Sequence, residues 1–165
     1  MTRKVLTLCL VHDHSRILLG MKKRGMGAGL SAEKQGFGMG KWNGFGGKVE
    51  QGETLEEAAR REVFEEAGIQ AIDLEKMGEI EIEFVNDPQI LKVHIFKVAS
   101  FTGKPVESDE MKPQWFNVDE IPFDQMWPDD KYWLPVFLRG KKFKAKFVLQ
   151  GQDNIIDQKL EILDA

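Results

Sequence analysis

The 165-residue chain has a single cysteine, Cys9, so no intramolecular disulfide can brace it, and a reducing compartment, the cytoplasm by default, is the expected setting. It has no long apolar run. The opening MTRKVLTLCLV holds about seven mostly apolar residues before His12-Asp13-His14, well short of the roughly 20 that a membrane span needs. It also lacks a secretory cleavage pattern, and a mitochondrial leader would be longer and richer in Arg and Ser. Positive charge is not in excess either: 23 Lys and Arg stand against 27 Asp and Glu, a net charge of −4, which argues against duplex nucleic acid as a partner. No linker or low-complexity tract divides the chain, and 42% apolar content suffices for one compact domain over residues 1–165.

What is present is concentrated between Gly47 and Ile69, GKVEQGETLEEAARREVFEEAGI. Thr54 with Glu57 three positions on forms a capping box, Leu55 to Ala67 are mostly good helix formers, and Gly68 supplies a left-handed stop. At about 100° per residue, Glu62, Glu65 and Glu66 fall within one arc of this helix, shared with Leu55, Ala58 and Ala59. A solvated acidic face is the plain alternative. Like charges at i, i+3 and i+4 repel, however, so a compensating cation is the more economical explanation. Carboxylate oxygens suit the hard ions Mg²⁺ and Mn²⁺.

As a pattern, the stretch reads Gly47, then Glu53, Arg61-Glu62, apolar Val63, Glu65-Glu66, Gly68 and apolar Ile69. It resembles the Nudix box at every defining position. The resemblance implies a hydrolase for a nucleoside diphosphate linked to another moiety, working through Mg²⁺, with Mn²⁺ as a substitute. It implies an α/β fold, an α/β/α sandwich around a mixed β-sheet, with this loop and helix as the catalytic face.

The rest of the chain supplies strands. Val5 to Val11 and Arg16 to Met21 read as a hairpin with His12 to Ser15 as its turn; Ile80, Ile82 and Phe84 alternate with glutamates, and Val93 to Ala99 follows. Trp115 to Val118 reads as a short strand, Tyr132 to Leu138 as a helix, and Phe143 to Leu149 and Ile155 to Leu160 as two closing strands joined by Gly151 to Asn154. Lys22-Lys23-Arg24 leads into a glycine-rich segment that ends in Trp42-Asn43-Gly44-Phe45-Gly46-Gly47, whose small residues let backbone approach a phosphate or metal closely.

LLGMKKRG, KWNGFGGKVEQGET, PVESDEMKPQWF, WPDDKYW and LQGQD extend the similarity over nearly the whole chain, to the branch of the family that hydrolyses oxidised purine nucleoside triphosphates. That implies conversion of 8-oxo-dGTP, 2-hydroxy-dATP and O6-methyl-dGTP to monophosphate and pyrophosphate, keeping damaged nucleotides out of DNA in the cytoplasmic, nuclear or mitochondrial pools. By position, the metal ligands are the carbonyl of Gly46 with Glu62, Glu65, Glu66 and Glu110. Glu62 or Glu66 serves as the base, and Arg61 orients the glutamates by bridging Glu57 and Glu65. Lys22 faces the phosphates, with Phe45, Gly46, Gly47 and Lys48 on the substrate loop.

The implied base pocket combines Thr7, Asn43, Trp127, Pro128, Asp129 and Asp130 with Phe84, Leu91 and Trp133 as apolar wall. Ile82 and Leu91 depart from the aromatic and methionine of the family, keeping the wall apolar while changing its shape. Under a stacked base, desolvation and mutual repulsion raise the pKa of one carboxyl of Asp129-Asp130, leaving a proton donor beside an acceptor.

The segment Lys23 to Gly29 recurs eleven residues later as Lys34 to Gly40, an insertion relative to the family, so either Phe37 or Met26 takes the pocket-wall position. Phe37 is favoured for its short tether to Asn43. The expected partner is a small-molecule purine nucleoside triphosphate, with no nucleic acid or membrane, and the chain is expected to be monomeric. Two rival functions share the box: a pyrophosphatase for ADP-ribose or a dinucleotide, and a non-catalytic nucleotide sensor, which predicts loss of box glutamates that are all retained.

Overall fold

Alternating apolar and polar side chains build strands β1 (Thr2–Asp13), β2 (Arg16–Lys22), β4 (Gln70–Phe84), β5 (Gln89–Thr102), β6 (Met111–Asn117), β7 (Lys142–Gln150) and β8 (Asn154–Leu163), together with the two-residue β3 (Trp42–Asn43). The computed structural model describes residues 2–24 and 38–163. One mixed sheet runs β3-β2-β1-β5-β4-β7-β8, with β6 also paired to β2. The β1·β5 and β4·β7 pairs are parallel and the other pairs antiparallel.

Successive strand residues serve opposite faces of this sheet. Cys9 and Phe96 belong to one core with Ala59 and Val63 of helix α1 (Leu55–Ala67), while their neighbours Leu10 and Ile95 belong to a second core with Trp133 and Phe137 of helix α2 (Asp130–Leu138). Two helices on two faces make the expected sandwich. α1 presents Ala58, Ala59, Val63 and Ala67, all fully buried, so its axis lies close to the sheet.

β4 starts at Gln70, directly after α1, whereas alternation in the sequence shows it only from Glu79. Register shifts between Ala71 and Asp73, between Asp73 and Leu74, and between Lys76 and Gly78 break the period of two that makes a strand readable. At Gly78 a Cβ would stand 2.7 Å from the Phe143 ring, so the last bulge and the glycine go together.

Candidate active site

α1 begins as its sequence requires. Thr54 accepts from the Glu57 N–H at 3.1 Å and Glu57 returns a bond from the Thr54 N–H at 2.9 Å, while Gly68 closes the helix at φ 75°. Because Glu57 is committed to the cap, it is not the partner of Arg61, correcting the expected Glu57 bridge. Arg61 instead grips Glu53 in the preceding turn through Nε (2.7 Å) and Nη2 (2.9 Å), and donates to Glu62 at 2.8 Å, to Glu65 at 3.3 Å and to the Lys48 carbonyl at 3.1 Å. The guanidinium bond holds the Glu53 carboxyl down to about 2.

The glycine loop is pinned to β1. The Thr7 N–H donates to the Gly47 carbonyl, and Cys9 and Phe45 exchange backbone bonds. A side chain at Gly46 would run into the Thr7 carbonyl, and one at Gly47 would stand 2.7 Å from the Glu62 carboxyl carbon. The small residues therefore let the loop approach protein backbone and the acidic cluster. The Phe45 side chain is fully buried in the α1-side core, so its expected place among substrate contacts is corrected: the Cys9 bridge turns its ring inward.

Glu66 is buried, its Oε1 accepting from the Gly46 N–H at 2.8 Å. Burial pushes it up to about 8, with the like charge of Glu62 and a side-chain hydrogen bond with Glu110 adding to the rise, against Lys22 and the Gly46 bond. Glu62 is raised by burial too, with Glu65 and Glu110 contributing, while Arg61 opposes. Glu110 reaches this cluster because the Lys23 N–H donates to its carbonyl at 2.8 Å and Ser108 Oγ donates to the Glu66 carbonyl at 2.8 Å.

Among the described residues no three His, Cys, Asp or Glu side chains are arranged to hold a metal: Arg61 holds two of these carboxylates and Gly46 a third. Their chemistry still fits a hard divalent ion. A buried carboxyl crowded by its own kind is relieved by a cation, and all the donors are oxygen.

From this cluster a cavity of about 240 Å³ runs beneath the glycine loop to the start of α2, toward the small end of ligand pockets, which span roughly 300–1,000 Å³. Lys22, Gly46, Gly47, Lys48 and Glu66 line it, together with Thr7, Asn43, Phe84, Leu91, Trp127, Asp129, Asp130 and Trp133. Ile82 and Leu91, the two departures from the family, are cross-strand partners on its floor. Asn43 Oδ1 accepts from the Gly44 N–H at 2.9 Å, which leaves the amide NH₂ as its donor for a ligand. Phe84 and Trp127 meet edge to face at 6.2 Å. Pro128 is half-buried and does not line the cavity.

Asp129 and Asp130 open α2 rather than lying in a loop, and each is 3% exposed. Trp133 Nε1 donates to Asp129 Oδ2 at 2.9 Å, while Asp129 Oδ1, Asp130 Oδ2 and the Thr7 hydroxyl are buried without a hydrogen-bond partner. Burial raises both carboxyls and not one alone, Asp130 further because Asp129 sits beside it. Met26 and Phe37 lie outside the described residues. Sequence reasoning missed Glu53 as the principal partner of Arg61, and lining residues such as Lys4, Leu6, Leu8 and Gly38. Glu53 was visible only as a fixed position of the box, since it precedes the helix and shares none of its periodicity.

The NUDIX domain model matches residues 2–137. Over 160 residues the chain is 51% identical to the oxidized purine nucleoside triphosphate hydrolase of Danio rerio, covering 97% of this chain and 96% of the relative. Over 164 residues it is 48% identical to the enzyme of that name from Mus musculus, covering 99% and 98%. Its fold is similar to the crystal structure of the MutT protein of Bacillus halodurans, with a TM-score of 0.80 at 25% identity over 96% of this chain and 97% of that one. The acidic helix, its arginine anchor and the glycine loop lie within the matched stretch, and the chain belongs to the Nudix hydrolases, which need a divalent metal ion.

Proposed function

We propose that the protein hydrolyses oxidised purine nucleoside triphosphates, among them 8-oxo-dGTP, 2-hydroxy-dATP and O6-methyl-dGTP, to the monophosphate and pyrophosphate with Mg²⁺. The observation that carries this reading is the pair Asp129 and Asp130, buried with an unpartnered oxygen each, at the closed end of an apolar cavity. A buried polar atom without a partner costs about 1–3 kcal/mol, and a base edge offering both a carbonyl and an N–H supplies what each is missing. Full-length relatives called oxidized purine nucleoside triphosphate hydrolases support the same conclusion.

Glu62, Glu65, Glu66, Glu110 and the Gly46 carbonyl would hold the ion. When bound, it neutralises charge gathering on the phosphate oxygens. Lys22, which lines the cavity and whose charge is felt by Glu66, meets the phosphates. Arg61 keeps Glu62 and Glu65 turned to one side of the helix. Glu62 or Glu66 takes the proton of the attacking water, and burial raises both, Glu66 up to about 8, which favours proton acceptance. At the other end the purine lies against Trp127 and Phe84, Asn43 donates from its amide, and one protonated and one ionised Asp read the base edge.

Initial rates on 8-oxo-dGTP, 2-hydroxy-dATP, O6-methyl-dGTP, dGTP and ADP-ribose with Mg²⁺ test the proposal. Preference for the modified purine triphosphates is expected. Faster turnover of ADP-ribose would replace it with the diphosphate-derivative reading, and binding without turnover would point to a sensor.

A further inference from the structure

The C-terminal hairpin of β7 and β8 lies beyond the stretch matched by the family model, yet its turn reaches back to the cavity mouth. Gly38, a lining residue, donates its N–H to Gln152 Oε1 at 3.1 Å, and Lys41 Nζ donates to Asp153 Oδ1 at 3.0 Å. The same ammonium stands 3.4 Å from the Met126 carbonyl and 5.7 Å from the centroid of the Trp127 ring. Backbone bonds between Lys22 and both Gly40 and Lys41 join this segment to the strand that carries the phosphate-facing lysine.

We propose that Lys41, held over Trp127 by Asp153, is a positioning residue for base recognition, so that the hairpin turn takes part in substrate selection. The inference rests on the base-pocket reading above. An ordinary surface ion pair is a poor description of Lys41. Its side chain is 13% exposed against 74% for Asp153, so the lysine is an inward-facing cation tethered by an outer carboxylate. Its ammonium serves Trp127 twice, through the ring face and through the carbonyl of the preceding residue.

Lys41 also acts on the acid pair. Among the described residues, the charged groups felt by Asp129 and Asp130 are each other and Lys41, with the Trp133 N–H as a neutral donor; Lys22, Lys48 and Glu66 line the phosphate end of the same cavity. Burial favours protonation of both acids and the lysine opposes it. The base-reading edge therefore depends on a cation fixed from another part of the chain.

The test compares Lys41→Met, Lys41→Arg and Asp153→Asn with the parent, measuring kcat, KM and the pH profile of kcat/KM on 8-oxo-dGTP, with thermal melting to verify folding. For Lys41→Met the expected result is a KM raised several-fold with kcat changed by less than about twofold, and both limbs of the profile moved to higher pH. Lys41→Arg restores most of the affinity and the parent profile. Asp153→Asn, at an exposed position that does not threaten the fold, raises KM in the same direction by a smaller factor. A Lys41→Met enzyme with the KM and profile of an active parent overturns the inference alone, as does a folded Asp153→Asn enzyme with parent KM if Lys41→Met does not fold. A parent that turns over no purine nucleoside triphosphate overturns the proposed function and this inference with it.

Discussion

At the α1 end of the cavity, Arg61 gives Glu53, Glu62 and Glu65 a fixed cation, whereas at the α2 end Asp129 and Asp130 have one indole N–H and the field of Lys41 between them. Both ends raise carboxyl pKa values by burial. The environments differ in what they leave unfinished. The first cluster carries more negative charge than Arg61 and Lys22 balance, an excess that a metal would offset; the second leaves buried oxygens without hydrogen-bond partners, which a base would supply. Acid type and burial alone do not separate a phosphate-chemistry site from a base-reading site, and the neighbours of each carboxyl do.

The comparison is tested most severely at Glu65 and Glu66. Glu65→Gln and Glu66→Gln are each expected to lower kcat by on the order of 10²–10⁴, because a neutral amide is a poor ligand for a hard cation. The fold should survive, since a glutamine oxygen can still accept the Gly46 N–H that Glu66 now receives. Replacing the buried carboxyl is expected to leave the metal-free Glu66→Gln protein with an equal or higher melting temperature. Near-normal turnover in either variant, measured beside the melting curves, would sink the metal assignment.

How much of this was legible depended on how locally each contact is made. The capping box, the left-handed stop at Gly68 and the shared arc of Glu62, Glu65 and Glu66 lie within helix periodicity, and the structure reproduces them. Arg61 was expected to reach Glu57, one turn away; the cap uses that carboxylate, and Glu53, folded back from before the helix, takes its place. Phe45 shows the same limit, because the glycine loop was readable as a close approach but not which surface it approaches. Lys41 and Asp153 are 112 residues apart in a contact that no local pattern encodes. The acid pair was found through its neighbour Trp127 and through resemblance, and its burial became visible only in the fold.

A smaller but more selective effect is expected at the base end. Asp129→Asn and Asp130→Asn each fix one donor and one acceptor where the acids can exchange a proton. The two variants should lose 8-oxo-dGTP and 2-hydroxy-dATP unequally, each misplaced hydrogen bond costing about 1–3 kcal/mol in kcat/KM. Uniform loss across all purine substrates would remove the distinction between the two ends, because it would mean that Asp129 and Asp130 support the phosphate chemistry as well.

The last expected effect is on stability, and it isolates the α2 end from the metal cluster. In the unfolded chain Asp130 titrates near the ordinary aspartate value of about 3.9, and in the folded protein its pKa lies well above that because it is buried beside Asp129. Between those two values the folded state holds a proton that the unfolded state has released, so stability falls as pH rises from about 4 and levels off above the folded value. Glu53, Glu79 and Glu107 are depressed and work in the opposite sense, adding stability above their unfolded values that is lost as pH falls, so their window lies on the acid side. Asp130→Asn removes one raised group, and its stability advantage over the parent should grow with pH by up to about 1.4 kcal/mol per unit within the window. At about 2–4 °C per kcal/mol for a protein of this size, melting curves in EDTA between pH 5 and 8 can resolve it. Chelation leaves the α1 cluster in the same state in both proteins, so its contribution cancels in the difference. Parallel curves for parent and variant would mean that Asp130 is ionised in the folded protein, and the α2 end of the cavity would then lack the proton donor that base reading requires.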